Sequence, residues 1–151
     1  MRGWKSLAVF LLLVAAAALA GAVSPPDAWF AALEKPTFNP PGWVFGPAWT
    51  TLYILMAVAA WRVYRKRGFD LAIGAWLAQL AVNAAWTPLF FGLHRIDLAL
   101  VDILVLDALV VATIALFWRR DRIAAGLMLP YLAWIAFATV LNASLWKLNP
   151  M

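Results

Sequence analysis

Five long stretches of the chain are almost free of charged side chains, and they constrain the fold more than any other feature. They lie at 6–26, 36–61, 71–93, 98–118 and 123–146. Each is long enough for a helix that crosses a bilayer, which takes about 20 residues. Backbone groups in hydrocarbon need internal partners, and the alternation of a membrane barrel is absent. We therefore predict helices at about 5–23, 42–65, 71–92, 97–118 and 122–146.

Composition indicates that the solvent of this chain is lipid. Hydrophobic residues make up 66% of the 151 residues and charged residues 13%, against about 45–50% and 25% in soluble domains. We predict one all-α membrane domain over 1–151, a five-transmembrane-helix bundle. The chain has no cysteine and one histidine, His94, which excludes thiolate metal sites and histidine clusters. We expect no metal and no cofactor, and we interpret His94 as solvated rather than catalytic.

Basic residues are distributed unequally between the two ends of such a bundle. Three of the twelve lie on the side of the 24–41 loop and the C-terminus. The other side has Arg2, Lys5, Arg62, Arg65, Lys66, Arg67, Arg119, Arg120 and Arg122. The positive-inside rule places the N-terminus inside, and five apolar helices favour a bacterial inner membrane over an outer one. We attribute the charge to membrane topology, with contact between the basic clusters and anionic lipid headgroups as the alternative. The expected partners include membrane lipids but no nucleic acid.

The first predicted helix has an alternative interpretation. A basic start at 1–5, an apolar core at 7–14 and the small residues of 18–20 also fit a cleaved signal peptide, which would leave four spans. Because the apolar run continues to Val23, we favour an uncleaved helix.

The segment from Pro36 to Trp49 contains four of the nine prolines. Proline fixes φ and removes a backbone donor, so 36–41 cannot be regular helix. We predict a stiff extended segment that turns at Pro41-Gly42 into a helix, so that the 24–41 loop covers an apolar pocket. The alternative is a simple helix-entry linker whose tryptophans lie at the lipid interface.

Three predicted helices each have one face that combines aromatic with small or polar residues. At about 100° per residue, these faces are Trp49, Tyr53, Met56 and Ala60; Gln79, Asn83, Trp86 and Phe90; and Trp134, Ala138, Leu141 and Leu145, with Tyr131 nearby. Amides in hydrocarbon are costly without partners, so the second face must point into the protein. Together the faces fit a pocket for a large, flat, apolar ligand. The alternative is helix packing in which tryptophan fills volume.

Two further features lie within the spans. Asp102 and Asp107 are about 140° apart around their helix, so they are not a paired acid and base. We expect Asp102 to accept hydrogen bonds from neighbouring helices, and Asp107 to be protonated or to face a subunit interface. Small residues four apart allow close helix approach, within the monomer or in a dimer, and we predict a homodimer with the third helix as its candidate interface. They are Gly74 and Ala78, then Ala81 and Ala85.

Several motifs resemble the TspO/MBR family, which includes the tryptophan-rich sensory proteins and the mitochondrial translocator protein. They are Trp29-Phe30-x-x-Leu33-x-Lys35-Pro36-x-Phe38-x-Pro40-Pro41-Gly42, Phe45-Gly46-Pro47-x-Trp49-x-x-Leu52-Tyr53, Asn83-Ala84-Ala85-Trp86-Thr87-Pro88-Leu89-Phe90-Phe91-Gly92, Ala99-Leu100-Val101-Asp102 and Leu129-Pro130-Tyr131-Leu132-Ala133-Trp134-Ile135-Ala136-Phe137-Ala138-Thr139-x-Leu141-Asn142. The resemblance covers about residues 25–149.

The resemblance implies a five-helix bundle, often dimeric, with a ligand pocket that the first long loop closes. Family ligands are porphyrins and other tetrapyrroles, sterols and benzodiazepine-type compounds. The pocket residues that it implies here are Trp49, Tyr53, Asn83, Trp86, Tyr131, Trp134 and Ala138, with Phe30 and Trp43 near the lid. Some bacterial relatives degrade protoporphyrin IX in light with two tryptophans that match Trp49 and Trp134. Other relatives are described as stress sensors or regulators of tetrapyrrole efflux.

The functional hypothesis is an integral membrane receptor for protoporphyrin IX and related flat ligands. The alternative is a light-dependent porphyrin-degrading enzyme, and a tetrapyrrole transporter ranks third because no inverted repeat is visible. One departure concerns sterols. The animal sterol motif needs a tyrosine that 141–147 lacks, which disfavours cholesterol and suits a bacterial member.

Overall fold

The computed structural model describes residues 3–150, and every regular element in that range is helical. The elements are α1 (Trp4–Ala22), α2 (Ala28–Ala32), a 3₁₀ turn (Gly42–Val44) that continues into α3 (Phe45–Arg67), α4 (Leu71–Thr87), a π-helical turn (Pro88–Gly92), α5 (Ile96–Trp118) and α6 (Arg122–Leu148). Residues 34–41 form no helix, as the prolines predict.

Four of these helices are long and apolar enough to cross a membrane, namely α1, Gly42–Arg67, α5 and α6. The prediction of an all-helical membrane chain is therefore confirmed, but the count of five spans is not reached. The predicted helix at 71–92 is divided, since α4 ends at Thr87 and a π-helical turn follows. The cause is Pro88, which has no N–H to donate and whose ring crowds the carbonyl four residues earlier.

The helices pack in a closed ring. α1 contacts α3 and α4, α3 contacts α6, α6 contacts α5, and α5 contacts α4, while α3 and α4 touch each other little. On the inner side of α1, the Phe10 ring lies edge-on to Tyr64 of α3 and Trp76 of α4, with centroids 5.7 and 5.4 Å away. α1 therefore bridges the gap between α3 and α4. Fully buried side chains fill the centre, among them Met56, Trp76 and Tyr131.

Two carboxylates hold the basic end of the bundle together. Asp121 caps α6 by accepting hydrogen bonds from the backbone N–H of Ile123 and Ala124. It also pairs with Arg62 at 3.0 Å and Lys66 at 3.2 Å, both from α3. Burial alone raises the pKa of Asp121, but the Ala124 N–H and the two cations outweigh it and lower the pKa below the ordinary 3.8.

Asp70 has the same role between α4 and the end of α5. It caps α4 through the Ala72 N–H and receives a 2.7 Å hydrogen bond from Arg120, which follows α5. Caps of this kind satisfy backbone donors that a helix start leaves free. At this end, Asp121 therefore links the start of α6 to α3, and Asp70 links the start of α4 to the end of α5.

Replacing Asp121 by Asn should lower the thermal stability of the protein. Because the pKa of Asp121 is lowered in the folded state, its ionised form stabilises the fold at neutral pH, and this contribution is lost as pH falls through that lowered pKa. We expect Asp121→Asn to cost about 1–3 kcal/mol at neutral pH. The difference from wild type should shrink as the pH is lowered beyond 3.8, measured by thermal unfolding in detergent.

Asp97→Asn is the matched control. Asp97 pairs with Arg95 at 2.7 Å, but both side chains are exposed, and exposed pairs contribute little. A deficit of Asp121→Asn that stays constant down to acid pH would contradict the role given to the charge.

Candidate functional site

A cavity of about 650 Å³ lies inside the ring of helices, within the usual size of small-molecule sites. Its wall comes from five helices and from the 24–41 segment. Residues that line it include Ala17, Gly21, Phe30, Asn39, Trp49, Tyr53, Asn83, Trp86, Thr87, Phe90, Trp134, Ala138 and Asn142. None of the lining residues is charged, so the cavity suits a largely apolar molecule.

Aromatic rings form much of the wall and meet at defined angles. Trp49 of α3 and Trp134 of α6 are edge to face, with centroids 6.4 Å apart and planes at 86°. On the α4 side, Trp86 stacks on Phe90 at 4.9 Å. Such pairs hold each other in place. The cavity therefore presents indole faces and edges in fixed orientations, which favours a flat ligand.

A chain of hydrogen bonds runs from the cavity wall into the core. The Tyr53 hydroxyl donates to Asn83 Oδ1 at 2.8 Å, and Asn83 Nδ2 donates to the Tyr131 hydroxyl at 2.9 Å. Tyr131 in turn donates to Gln79 Oε1 at 2.8 Å. This chain joins α3, α4 and α6, and it fixes the Asn83 amide at the cavity surface. Amides and hydroxyls that would be costly in hydrocarbon become partners for one another.

A second amide orients the other indole wall. Trp86 Nε1 donates to Asn142 Oδ1 at 2.9 Å, and Asn142 Nδ2 donates to the Ile96 carbonyl at 3.1 Å. Asn142 lies next to the aromatic face of α6; the sequence places it at the end of a motif, but we assigned it no role in the pocket. Its polarity in an apolar helix was the available signal. By contrast, the Nε1 of Trp134 is buried and has no hydrogen-bond partner among residues 3–150.

The 24–41 segment covers part of the cavity with Pro26, Phe30, Asn39 and Pro40. Its α2 helix is capped by Asp27, which accepts from the Phe30 N–H. That hydrogen bond and the one from His94 hold the pKa of Asp27 below 3.8.

Polar contacts at two points hold this segment onto the helical body, in addition to the packing of Phe30 against Phe90 and Phe91. His94 Nε2 lies 2.9 Å from Asp27 Oδ2, and its ring stacks on Trp29 at 4.2 Å. Asn149 accepts from the Glu34 N–H at 2.9 Å and donates to the Glu34 carbonyl at 2.8 Å. His94 is therefore a docking point for the segment, with a partly exposed side chain.

The structure brings seven of the nine predicted ligand residues to the cavity wall, namely Phe30, Trp49, Tyr53, Asn83, Trp86, Trp134 and Ala138. Tyr131 is fully buried and lies behind Asn83, which it contacts through its hydroxyl. Trp43 does not line the cavity, and 76% of its surface is exposed. The sequence interpretation also missed the small residues of α1, such as Ala17 and Gly21, because small apolar residues resemble lipid-facing ones.

Asp102 and Asp107 do not reach the cavity wall. The prediction that Asp102 accepts hydrogen bonds from neighbouring helices is wrong, since its buried Oδ2 has no partner in the described part of the chain. Asp107 Oδ2 instead accepts a 2.7 Å hydrogen bond from Thr139 of α6. Within residues 3–150, no three His, Asp or Glu side chains are grouped as a metal site requires. The cavity wall thus presents aromatic rings, amides and hydroxyls, which are groups that bind a ligand. Among the side chains of the wall, the indoles are readily oxidised.

Comparison with known proteins gives consistent matches over most of the chain. The model of the TspO/MBR family matches residues 8–147. A tryptophan-rich sensory protein of Cereibacter sphaeroides is 44% identical over 146 residues, which cover 97% of this chain and 92% of that protein. Protein CrtK of Rhodobacter capsulatus is 42% identical over 95% of this chain and 92% of its own. The human translocator protein is 40% identical over 80% of this chain and 75% of its own.

Tyr131→Phe tests the hydrogen-bonded chain. It removes the hydroxyl that joins Asn83 to Gln79 and leaves both amides short of a buried partner. We expect a loss of about 1–3 kcal/mol in stability, measured as thermal unfolding in detergent. Tyr64→Phe is the control, because the Tyr64 hydroxyl makes no hydrogen bond within residues 3–150, and it should change stability by less than about 0.5 kcal/mol. Equal effects of the two substitutions would contradict the account.

Proposed function

The chain belongs to the TspO/MBR family, and we propose that it is an integral membrane receptor for protoporphyrin IX and related flat apolar ligands. The ligand binds in the cavity between the helices, under the 24–41 segment. The biological role that fits such a receptor is tetrapyrrole regulation or stress sensing, in keeping with the relative named a tryptophan-rich sensory protein.

The proposal rests on one observation, the aromatic cavity of about 650 Å³ with its fixed amide and hydroxyl edge. Trp49, Trp86 and Trp134 offer ring faces and edges for a macrocycle, and Tyr53 and Asn83 offer hydrogen bonds to its polar atoms. Aromatic stacking with a few placed polar groups is how proteins commonly bind flat ligands.

A porphyrin with carboxylate side chains also needs a place for its charge. No charged residue lines the cavity, so the carboxylates must lie at the mouth. There the Lys35 ammonium is 4.6 Å from the centroid of the Phe30 ring, which lines the cavity. Lys35 also donates to the carbonyls of Phe30, Ala31 and Leu33 at 2.8, 3.3 and 3.2 Å, which keeps its charge beside Phe30; a ligand carboxylate would replace one of the two longer hydrogen bonds.

The membrane arrangement that we propose has five spans, with α4 and its π-helical turn together as Leu71–Gly92. The excess of basic residues at the α3–α4 and α5–α6 turns supports an N-terminus inside the cell and a bacterial inner membrane. A homodimer through α4 is part of the proposal. A Cβ on Gly74 would meet no atom within 4 Å, and Ala78 and Ala81 are exposed on the same side, so this face is free to receive a second copy.

Light-dependent degradation of the porphyrin is the second candidate function. It is favoured by the edge-to-face pair of Trp49 and Trp134, whose centroids are 6.4 Å apart in the cavity wall. Since no charged residue of the range 3–150 lines the cavity and no metal-binding group is found in that range, such chemistry would run through the excited porphyrin and these indoles. Transport ranks below both, because the cavity lining offers no charged path for a polar substrate.

A titration with protoporphyrin IX tests binding and degradation together. Purified wild type in detergent should show saturable porphyrin binding in the dark, followed by porphyrin absorbance. Trp134→Phe keeps a ring in the wall, so binding should weaken by less than about tenfold. If the protein degrades its ligand, absorbance should decay in light with wild type and persist with Trp134→Phe.

Trp146→Phe is the matched control, since Trp146 lies on α6 outside the cavity and is 46% exposed. Trp146→Phe should match wild type both in porphyrin binding in the dark and in the decay of absorbance in light. Porphyrin association that never saturates would contradict the receptor proposal. Undiminished decay with Trp134→Phe would refute the enzymatic role of that indole and leave the receptor intact.

A further inference from the structure

A second concavity lies at the opposite end of the bundle, far from the 24–41 segment. Its volume is about 400 Å³, and it is lined by Arg62 and Lys66 of α3 and by residues 118–123 of the α5–α6 turn. We propose that this basic concavity is a binding site for the phosphate headgroup of an anionic phospholipid. The site is separate from the ligand cavity and does not depend on what that cavity binds.

The basic concavity contains more positive charge than its carboxylates neutralise. Asp121 pairs with Arg62 and Lys66, and Asp70 pairs with Arg120 at 2.7 Å. Arg119 and Arg122 make no ion pair with any residue of the range 3–150, and both are exposed. Two guanidinium groups are therefore available to an anion at one short turn.

The carboxylate inside the site does not repel such an anion strongly. The Asp121 side chain is only 2% exposed, and it already accepts from the backbone N–H of Ile123 and Ala124 and from two cations. Its charge is used to hold Arg62 and Lys66 in position. Guanidinium groups bind phosphate oxygens in a bidentate manner, so Arg119 and Arg122 are suited to the headgroup.

The apolar part of the concavity distinguishes a lipid from a free anion. Trp118 and Ile123 are 54% and 60% exposed, and both lie at the ends of membrane-length helices. The Arg122 guanidinium lies 4.8 Å from the centroid of the Trp118 ring. Tryptophan at a helix end is typical of the level where headgroups meet acyl chains. A phospholipid can place its phosphate on the arginines and its first methylenes on these two side chains, which inorganic phosphate cannot do.

Topology alone requires only positive charge on one side of the membrane. It does not require two unpaired arginines at a concave turn beside an indole. The same end of the protein provides an internal comparison in Arg65 and Arg67. These arginines end α3 outside the concavity, and Arg65 lies over Trp61 at 4.7 Å. If anionic lipid bound to a diffuse electrostatic surface, the pair Arg65 and Arg67 would contribute as much to binding as the pair Arg119 and Arg122. If it bound in the basic concavity, Arg119 and Arg122 would contribute more.

Native mass spectrometry of the full chain in detergent tests the site, with phosphatidylglycerol and phosphatidylcholine added in turn. Wild type should retain phosphatidylglycerol in preference to phosphatidylcholine. Arg119→Gln with Arg122→Gln should lower phosphatidylglycerol affinity about 25-fold, from roughly fivefold per basic residue near an anionic surface. The matched pair Arg65→Gln with Arg67→Gln should lower it less than about threefold.

Equal losses from the two Gln pairs would overturn the site in favour of a diffuse surface. Equal retention of the two lipids by wild type would overturn anionic recognition. Displacement of the lipid by equimolar inorganic phosphate would assign the site to a free anion instead.

Lysine variants keep the test valid if Arg119→Gln with Arg122→Gln changes the folding or the membrane topology of the protein. Arg119→Lys with Arg122→Lys keeps every charge but loses bidentate geometry. We expect a loss of about threefold to fivefold in phosphatidylglycerol affinity, with no loss for Arg65→Lys with Arg67→Lys. Unchanged affinity in both lysine pairs would refute a site with guanidinium-specific contacts.

Discussion

The need to satisfy polar groups inside hydrocarbon determines how this bundle is assembled. Tyr53, Asn83, Tyr131 and Gln79 form one hydrogen-bonded chain across α3, α4 and α6. In lipid each of these groups alone would cost several kcal/mol, so their mutual pairing sets the relative positions of three helices. The indoles of the cavity wall stand on these helices. The angles between the indoles and the shape of the cavity therefore follow from this chain of hydrogen bonds.

The two ends of the bundle are stabilised by different means. At the basic end, Asp70 and Asp121 cap helices and pair with arginine and lysine, which holds α3 to α6 and α4 to the turn after α5. At the other end, hydrogen bonds of Asn149 and His94 hold the 24–41 segment over the cavity. The rings of Trp29 and Phe30 also pack edge-on against Phe90, with centroids 5.7 and 6.0 Å away. No residue of α2 is itself buried, and partly exposed elements open more readily than a buried core, so this end is the natural entrance for a ligand.

Much of the fold and the site could be predicted from the sequence, and the failures have physical causes. The uncharged runs located the membrane helices, and the spacing of Asn83 and Trp86 located the cavity face of α4. The break at Pro88 was missed because an apolar run continues across it. The contribution of Ala17 and Gly21 was missed since their role depends on which neighbour covers them. No local pattern distinguishes buried Tyr131 from exposed Trp43, as that difference arises only from the packing of distant helices.

The central claim is that the aromatic cavity itself is the ligand site, and filling it tests this most directly. Ala138 lines the cavity, and Ala138→Phe adds a ring there. The measurement is the dissociation constant for protoporphyrin IX of this variant, with Ala108→Phe on the exposed face of α5 as the control. The account predicts that Ala138→Phe stays folded and loses more than about tenfold in affinity, which corresponds to more than about 1.4 kcal/mol of binding free energy, while Ala108→Phe binds as wild type. A folded Ala138→Phe protein with full affinity would contradict it.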